Sequence, residues 1–207
     1  MLKVIDHPLI KDKLTRMRKV ETISTSFRFS LIELTKLMTY EATKNLPIIE
    51  IEINTPIVKN VIGYKLKEKV ILVPILRAGL GMVDGVKDVI PNAAIGHIGL
   101  YRNEETKKVT EYFTKMPEHT ENSHIILLDP MLATGVSACD AVSIIKKYKP
   151  ASITFICIVA AQEGIDNLQK KYPDVNIYTA SIDEKLDDNG FIVPGLGDAG
   201  DRIFGTK

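Results

Sequence analysis

The chain has 207 residues, with 27 Lys and Arg against 26 Asp and Glu, a formal charge of +1 and 45% hydrophobic residues. That is enough chain for one full core; the near-zero charge speaks against the basic footprint of a nucleic-acid binder, and no apolar run of about 18 residues marks a membrane span. The opening MLKVIDHPLIKDKL is charged throughout, has no secretory apolar core and suggests a cytoplasmic protein. Cys139 and Cys157 fall in apolar patterns and read as small buried residues rather than a disulfide. Together with four scattered His they give no metal-ligand spacing.

In chain order, residues 1–25 mix apolar and charged positions, and His7-Pro8 marks a turn or extended stretch in which the His reads as structural. From Ser26 to Asn45, Phe27, Leu31, Leu34, Leu37, Met38 and Ala42 recur at helical spacing, which predicts an amphipathic helix stopped before Pro47. Phe29, Ile32 and Tyr40 widen that stripe and predict a second covering surface, such as another subunit. Ile49, Ile51 and Ile53 alternate with Glu50, Glu52 and Asn54 as in a half-exposed strand. A β-like segment around Ile57–Ile62, with a turn at Gly63, would complete an arm over about 48–68, read either as a dimer contact or as a plain edge hairpin.

Val70–Pro74 has the continuous apolar character of a strand buried in a parallel sheet. It leads to Arg77 in a glycine-bracketed turn and then to a helix ending near Val89. An Arg at a strand's carboxyl end faces the crevice where α/β proteins bind ligands, and its rigid fork suits a pyrophosphate; the bland alternative is a surface Arg. Gly79-x-Gly81 is not a dinucleotide fingerprint, because the third glycine is displaced and no acid closes the next strand at the required distance. Ala93–Tyr101 reads as a third strand ending at Arg102. The wholly polar 103–108 is expected to be a mobile loop that could act as a lid, followed by strand-like Val109–Met116.

The centre of the chain is Ile125–Ser137, IILLDPMLATGVS: a buried strand ending at Asp129, a loop of small residues, and a helix start. Free N–H groups and the positive end of the macrodipole favour a phosphate there, with Gly135 allowing close backbone approach and Thr134 and Ser137 offering hydroxyls. No Lys follows the glycine, so this is not a Walker loop. Asp129 at the strand's end suits a ribose diol. Ser152–Ala161 is another buried strand, Gln162–Tyr172 a short helix and Asn176–Ser181 a further strand. Alternating strands and helices predict an α/β fold with a mostly parallel sheet flanked by helices. Gly195–Gly200 matches G-x-G-x-x-G literally, but only seven residues follow, too few for the helix and strand of a dinucleotide unit. Those glycines leave main-chain donors and acceptors free to read a flat base, while Ile192, Val193, Leu196, Ile203 and Phe204 anchor the segment.

Three separated strings carry a family resemblance. DPMLATG at 129–135 resembles the phosphate loop of the type I phosphoribosyltransferases, in the uracil-specific branch. PILRAGLGM at 74–82 is similar to that branch's pyrophosphate loop, and FIVPGLGDAGDRIFGTK at 191–207 to its uracil-binding hood. The resemblance spans nearly the whole chain and implies one phosphoribosyltransferase domain over 1–207, with the β-arm at about 48–68 and the hood at about 183–207. The implied reaction joins uracil to 5-phosphoribosyl 1-diphosphate (PRPP), giving UMP and diphosphate. It implies PRPP contacts from Arg77, Arg102, Asp129, Pro130, Met131, Leu132, Ala133, Thr134, Gly135, Val136, Ser137 and Asp198, and uracil contacts from Ile192, Gly197, Asp198 and Ala199. Arg77, Arg102 and Asp198 would act electrostatically, with no general base assigned and Mg²⁺ held by PRPP oxygens rather than by protein ligands. It further implies a cis Leu76–Arg77 peptide and a homodimer or larger oligomer; GTP activates some members. Val136 stands where the branch commonly has Gly, and Phe191 where many members have Tyr. Two rivals are an RNA-binding regulator of pyrimidine operons on the same fold and a phosphoribosyltransferase acting on a purine base.

Overall fold

Alternation along the buried strands decides the layering. Leu72, Ile126, Leu128, Ile156 and Ile158 turn to one face of a central sheet, and Ile71, Val73, Ile125, Leu127, Phe155 and Cys157 to the other, as expected of strands covered on both sides. The computed structural model describes residues 1–102 and 109–206. The polar segment 103–108, expected above to be a mobile loop, lies outside the described residues, and so does the Arg102 side chain.

The elements run β1 (Leu2–Val4), α1 (Pro8–Arg18), α2 (Ser24–Ala42), β2 (Ile48–Ile53), β3 (Val61–Leu66), β4 (Val70–Leu76), α3 (Leu80–Lys87), β5 (Ala94–Ile95), β6 (His97–Arg102), β7 (Val109–Lys115), β8 (His124–Leu128), β9 (Met131–Leu132), α4 (Val136–Lys146), β10 (Ser152–Ala161), α5 (Gln162–Lys171), β11 (Asn176–Asp183), β12 (Lys185–Leu186), β13 (Ile192–Val193) and α6 (Ala199–Phe204). The central sheet has the order β1-β11-β10-β8-β4-β6-β7, with β5 beside β4 and β9 beside β10. Among the described residues every pairing in it is parallel except β6 with β7. Buried side chains of α1, α2, α3 and α6 join one core cluster, and those of α4 and α5 the other. The expected fold class is therefore the observed one.

Local chemistry explains the helices. Pro8 opens α1, and the His7 Nδ1 accepts the Leu9 N–H at 3.1 Å, so the lone His is an N-cap before a proline pre-set for the first turn. In α2, Phe27, Leu31, Leu34 and Met38 are fully buried, each worth about 1.5–3 kcal/mol relative to exposure. Phe29 and Tyr40, which widened the stripe, stay 65% and 75% exposed in the single chain. No helix among the described residues is long and apolar enough to cross a membrane.

Two boundaries differ from expectation. Gly63 lies within β3, opposite Ile51, rather than at a turn. The chain reverses earlier, where the Thr55 hydroxyl accepts the Ile57 and Val58 N–H groups and Asn54 Oδ1 accepts that of Asn60; the short polar side chains close the turn. The strand expected over Ala93–Tyr101 is interrupted at Gly96, whose N–H bonds to Leu72 O at 2.8 Å while a Cβ there would press on Met116 Sδ.

Candidate active site

Parallel strands in register end together, so the loops after β4 and β8 open on the same edge of the sheet. The loop after β4 contains the cis Leu76–Arg77 peptide expected from the resemblance and packs so tightly on β8 that a Cβ on Gly79 would sit 2.3 Å from Leu128 O. The Arg77 turn is therefore carried against the end of β8, after which Asp129 follows. The loop after β8 is held by backbone: Pro130 O accepts the Ile158 and Val159 N–H groups at 2.9 and 3.1 Å, and β9 adds to β10. The chain then reaches Gly135, with φ +78, a left-handed conformation that side chains disfavour. A Cβ there would also meet Gly164 O at 2.7 Å. From α5, Asn167 Nδ2 donates to Thr134 O at 3.0 Å. Val136 and Ser137 open α4 behind this loop, which puts the expected phosphate loop at a helix N-terminus.

Asp129 is half-buried, and desolvation pushes its carboxyl up to about 7, against a weaker pull from the Met131 N–H at 3.4 Å. A carboxylate so poorly solvated is poised to accept hydrogen bonds from a ligand hydroxyl. Behind the loop, burial pushes the Cys157 thiol up to about 12, and both cysteines are free and buried as expected.

The hood closes the same edge. β12 and β13 pair antiparallel, and the chain passes a cis Val193–Pro194 bond, which sequence reasoning missed, before reaching α6. Ile192 and Ala199 are buried, while Gly197 and Asp198 are exposed, so the first pair can offer only main chain to a base. The Asp198 carboxylate caps α6 by accepting the Asp201 N–H at 2.8 Å, a duty the sequence did not reveal. Arg77 joins hood to sheet: its Nη2 lies 3.7 Å from Asp201 Oδ1, its guanidinium is 5.9 Å from the Phe204 ring, and a Cβ on Gly200 would lie 4.0 Å from Nη2 and 3.9 Å from Ala78 Cβ. A cavity of about 550 Å³ is lined by Phe191, Gly197, Asp198 and Asp201, and one of about 460 Å³ by Arg77, Tyr101 and Tyr112. The three predicted loops thus meet at one edge of the sheet. Arg102 ends β6 beside this edge, with its side chain outside the described residues.

A model of the uracil phosphoribosyltransferases matches residues 4–206. The chain belongs to the uracil phosphoribosyltransferase family. A uracil phosphoribosyltransferase of Ureaplasma urealyticum serovar 10 is 68% identical over 207 residues, the whole of both chains. Among solved structures, the AQ2163 protein from Aquifex aeolicus superposes with a TM-score of 0.93 at 39% identity, over 99% of this chain and 98% of that one. A hypoxanthine phosphoribosyltransferase from Staphylococcus aureus gives 0.51 at 14% identity, over 78% of this chain and 75% of that one, a likeness of fold alone.

Sequence reasoning passed over four residues that hold these loops: Gly164 and Asn167 seat the loop after β8 from α5, and Arg18 and Arg202 hold the hood. Gly164 near a helix start was the one visible signal, since a glycine there suggests close packing. The other three act through contacts that no local pattern encodes.

Proposed function

We propose that residues 1–207 act as one unit that transfers the 5-phosphoribosyl group of PRPP to uracil, giving UMP and diphosphate. Family membership supports the reaction, and the observation that carries the assignment of residues is the contact of the Arg77 turn with both the end of β8 and the hood. In this reading the N–H groups and hydroxyls of Ala133–Ser137 hold the 5′-phosphate and Asp129 accepts the ribose hydroxyls. Charge-assisted bonds of this kind contribute about 1.5–3 kcal/mol each. Arg77 and Arg102 hold the diphosphate, and main chain at Ile192, Gly197, Asp198 and Ala199 reads the base. As the C1–O bond breaks, positive charge grows on the sugar and negative charge on the departing diphosphate, and the arginines stabilise the latter. Uracil N1 attacks from the opposite face and gives up its proton; no side chain is assigned as the base.

Among the described residues no three His, Cys, Asp or Glu side chains gather into a metal site. In this reading Mg²⁺ enters with PRPP on the substrate's own phosphate oxygens, where it would add charge neutralisation at the leaving group.

The β2–β3 arm supports a homodimer. A two-stranded ribbon is marginal alone, and this one exposes Ile48, Ile57, Ile62 and Tyr64, so a second copy is the surface that would complete it. A sedimentation experiment reads this directly, with a monomer at micromolar concentration counting against it. The decisive functional test is a steady-state assay with uracil, hypoxanthine and adenine as competing acceptors, repeated with GTP added to test activation. UMP formation alone supports the reading, and purine nucleotide formation overturns it.

A further inference from the structure

The segment from Pro194 to Gly197 has no regular structure of its own, yet it must present fixed donors and acceptors if it reads a base. Three consecutive peptide planes in it are each held by a side chain from elsewhere. The Gly195 N–H donates to Asp183 Oδ2 at 2.9 Å, the Gly195 C=O accepts from Arg18 Nη1 at 2.6 Å, and the Leu196 C=O accepts from Arg202 Nη1 at 2.8 Å. A trans peptide is planar with its N–H and C=O opposed. Fixing those three groups therefore points the Pro194 C=O, the Leu196 N–H and the Gly197 N–H the other way.

The holders are themselves held. Arg18 grips Asp183 with both nitrogens at 2.7 Å, the Ser181 hydroxyl donates to the same carboxylate at 2.7 Å, and the Asp183 side chain is 2% exposed. Arg202 also donates to Met17 O at 2.5 Å and Lys19 O at 2.7 Å, and lies 4.5 Å from the Phe27 ring centroid. The α1–α2 corner thus serves as the frame against which the hood is set. Only a planar five-donor fork can serve so many acceptors at once.

We infer that Arg18 and Arg202 are positioning residues for base recognition, acting on uracil through the peptide planes of 194–197 without touching it. The inference rests on the proposed function and deepens it. Arg18→Lys and Arg202→Lys keep the charge but replace the fork with a single ammonium. Each is expected to raise the KM for uracil about tenfold or more, the loss of one charge-assisted hydrogen bond, while the KM for PRPP changes less than about twofold. Ser181→Ala, a milder change that leaves both arginines in place, is expected to give a smaller shift of the same kind and guards against a lysine variant that fails to fold. Amide exchange at Gly195, whose N–H is bonded to Asp183, should quicken in the ligand-free protein in each folded variant, a readout independent of turnover. A parallel rise in both KM values, or an unchanged uracil KM, or unchanged exchange at the Gly195 amide, overturns the inference. An unmodified protein that makes no UMP would overturn the functional reading instead, and the exchange result would still judge the positioning.

Discussion

The two halves of the site are built on different principles. The side proposed to take the phosphate is made by the sheet: Pro130 is bonded to β10, β9 extends it, and Gly135 lies against Gly164. The hood stands off the sheet and is held by two guanidinium groups reaching across the chain, Arg18 to a partner 165 residues away and Arg202 to one 185 away. In the proposed reading, backbone ladders and steric contact give a rigid seat for the part of the substrate common to phosphoribosyl donors, and side-chain tethers give an adjustable fitting for the part that differs, the base.

Arg77 is the joint between the halves, and breaking it should have the largest effect. Arg77→Ala is expected to raise the barrier to turnover by about 3 kcal/mol, roughly a hundredfold in rate, as for loss of one preorganised donor; near-normal kcat would remove it from the machinery. Gly79→Ala tests the sheet-made side, since its Cβ would lie 2.3 Å from Leu128 O and 2.7 Å from Ile75 N. Neither backbone atom can step aside, so a loss of about 3 kcal/mol in urea denaturation is expected.

Acid should separate the halves. Burial pushes the His124 imidazole down to about 4, and its Nε2 is buried with no hydrogen-bond partner among the described residues. The unfolded chain takes up a proton that the fold refuses, so stability is full above about 6.5 and falls as pH drops toward 4, by up to about 3 kcal/mol. Asp183 behaves otherwise: burial raises its carboxyl, but bonds from Arg18, Ser181 and Gly195 outweigh this and leave it below the ordinary range. Its stabilisation is present above the ordinary carboxylate value and is lost only as pH falls through the depressed one. Because the raised Asp129 carboxyl gains stability over the same fall in pH, the His124 share is read as a difference between two proteins: His124→Leu should gain in urea midpoint on the unmodified protein as pH falls from 7 through 5 to 4, while the hood's acid loss at lower pH stays the same in both.

Asp129→Asn is expected to give a smaller, two-sided result. With its carboxyl raised to about 7, the fold holds a proton that the unfolded chain releases, so this share of stability is full below the ordinary carboxylate value and is lost as pH rises to about 7. Removing the charge should stabilise the free protein at pH 8 by on the order of 2 kcal/mol, discounted for partial solvent contact, while turnover drops as the ribose loses its charged acceptor. The smallest effect is expected from Phe191→Tyr at the hood's exposed lip, where a regained hydroxyl should lower the uracil KM by about threefold or less.

What was legible in the sequence follows the same division. Ile125–Ser137 and Pro74–Met82 could be read because a strand, a turn and a helix start each write a local signature. The C-terminal glycines were legible as an anchored segment with free main chain, but its supports were not, because Arg18 and Asp183 look like ordinary charges at the ends of ordinary elements. Gly63 was misplaced because a glycine beside apolar alternation suggests a turn, whereas Asn54 and Thr55 make the real one.

The α1–α2 corner offers Arg202 main-chain carbonyls at Met17 and Lys19. A carbonyl is the same whichever side chain its residue bears, so Lys19 and its neighbour Val20 are free to drift through evolution without disturbing the hood. Covariation would overlook this brace, and only a change that bends the local chain path, such as a proline inserted at the corner, would register as a change in substrate preference.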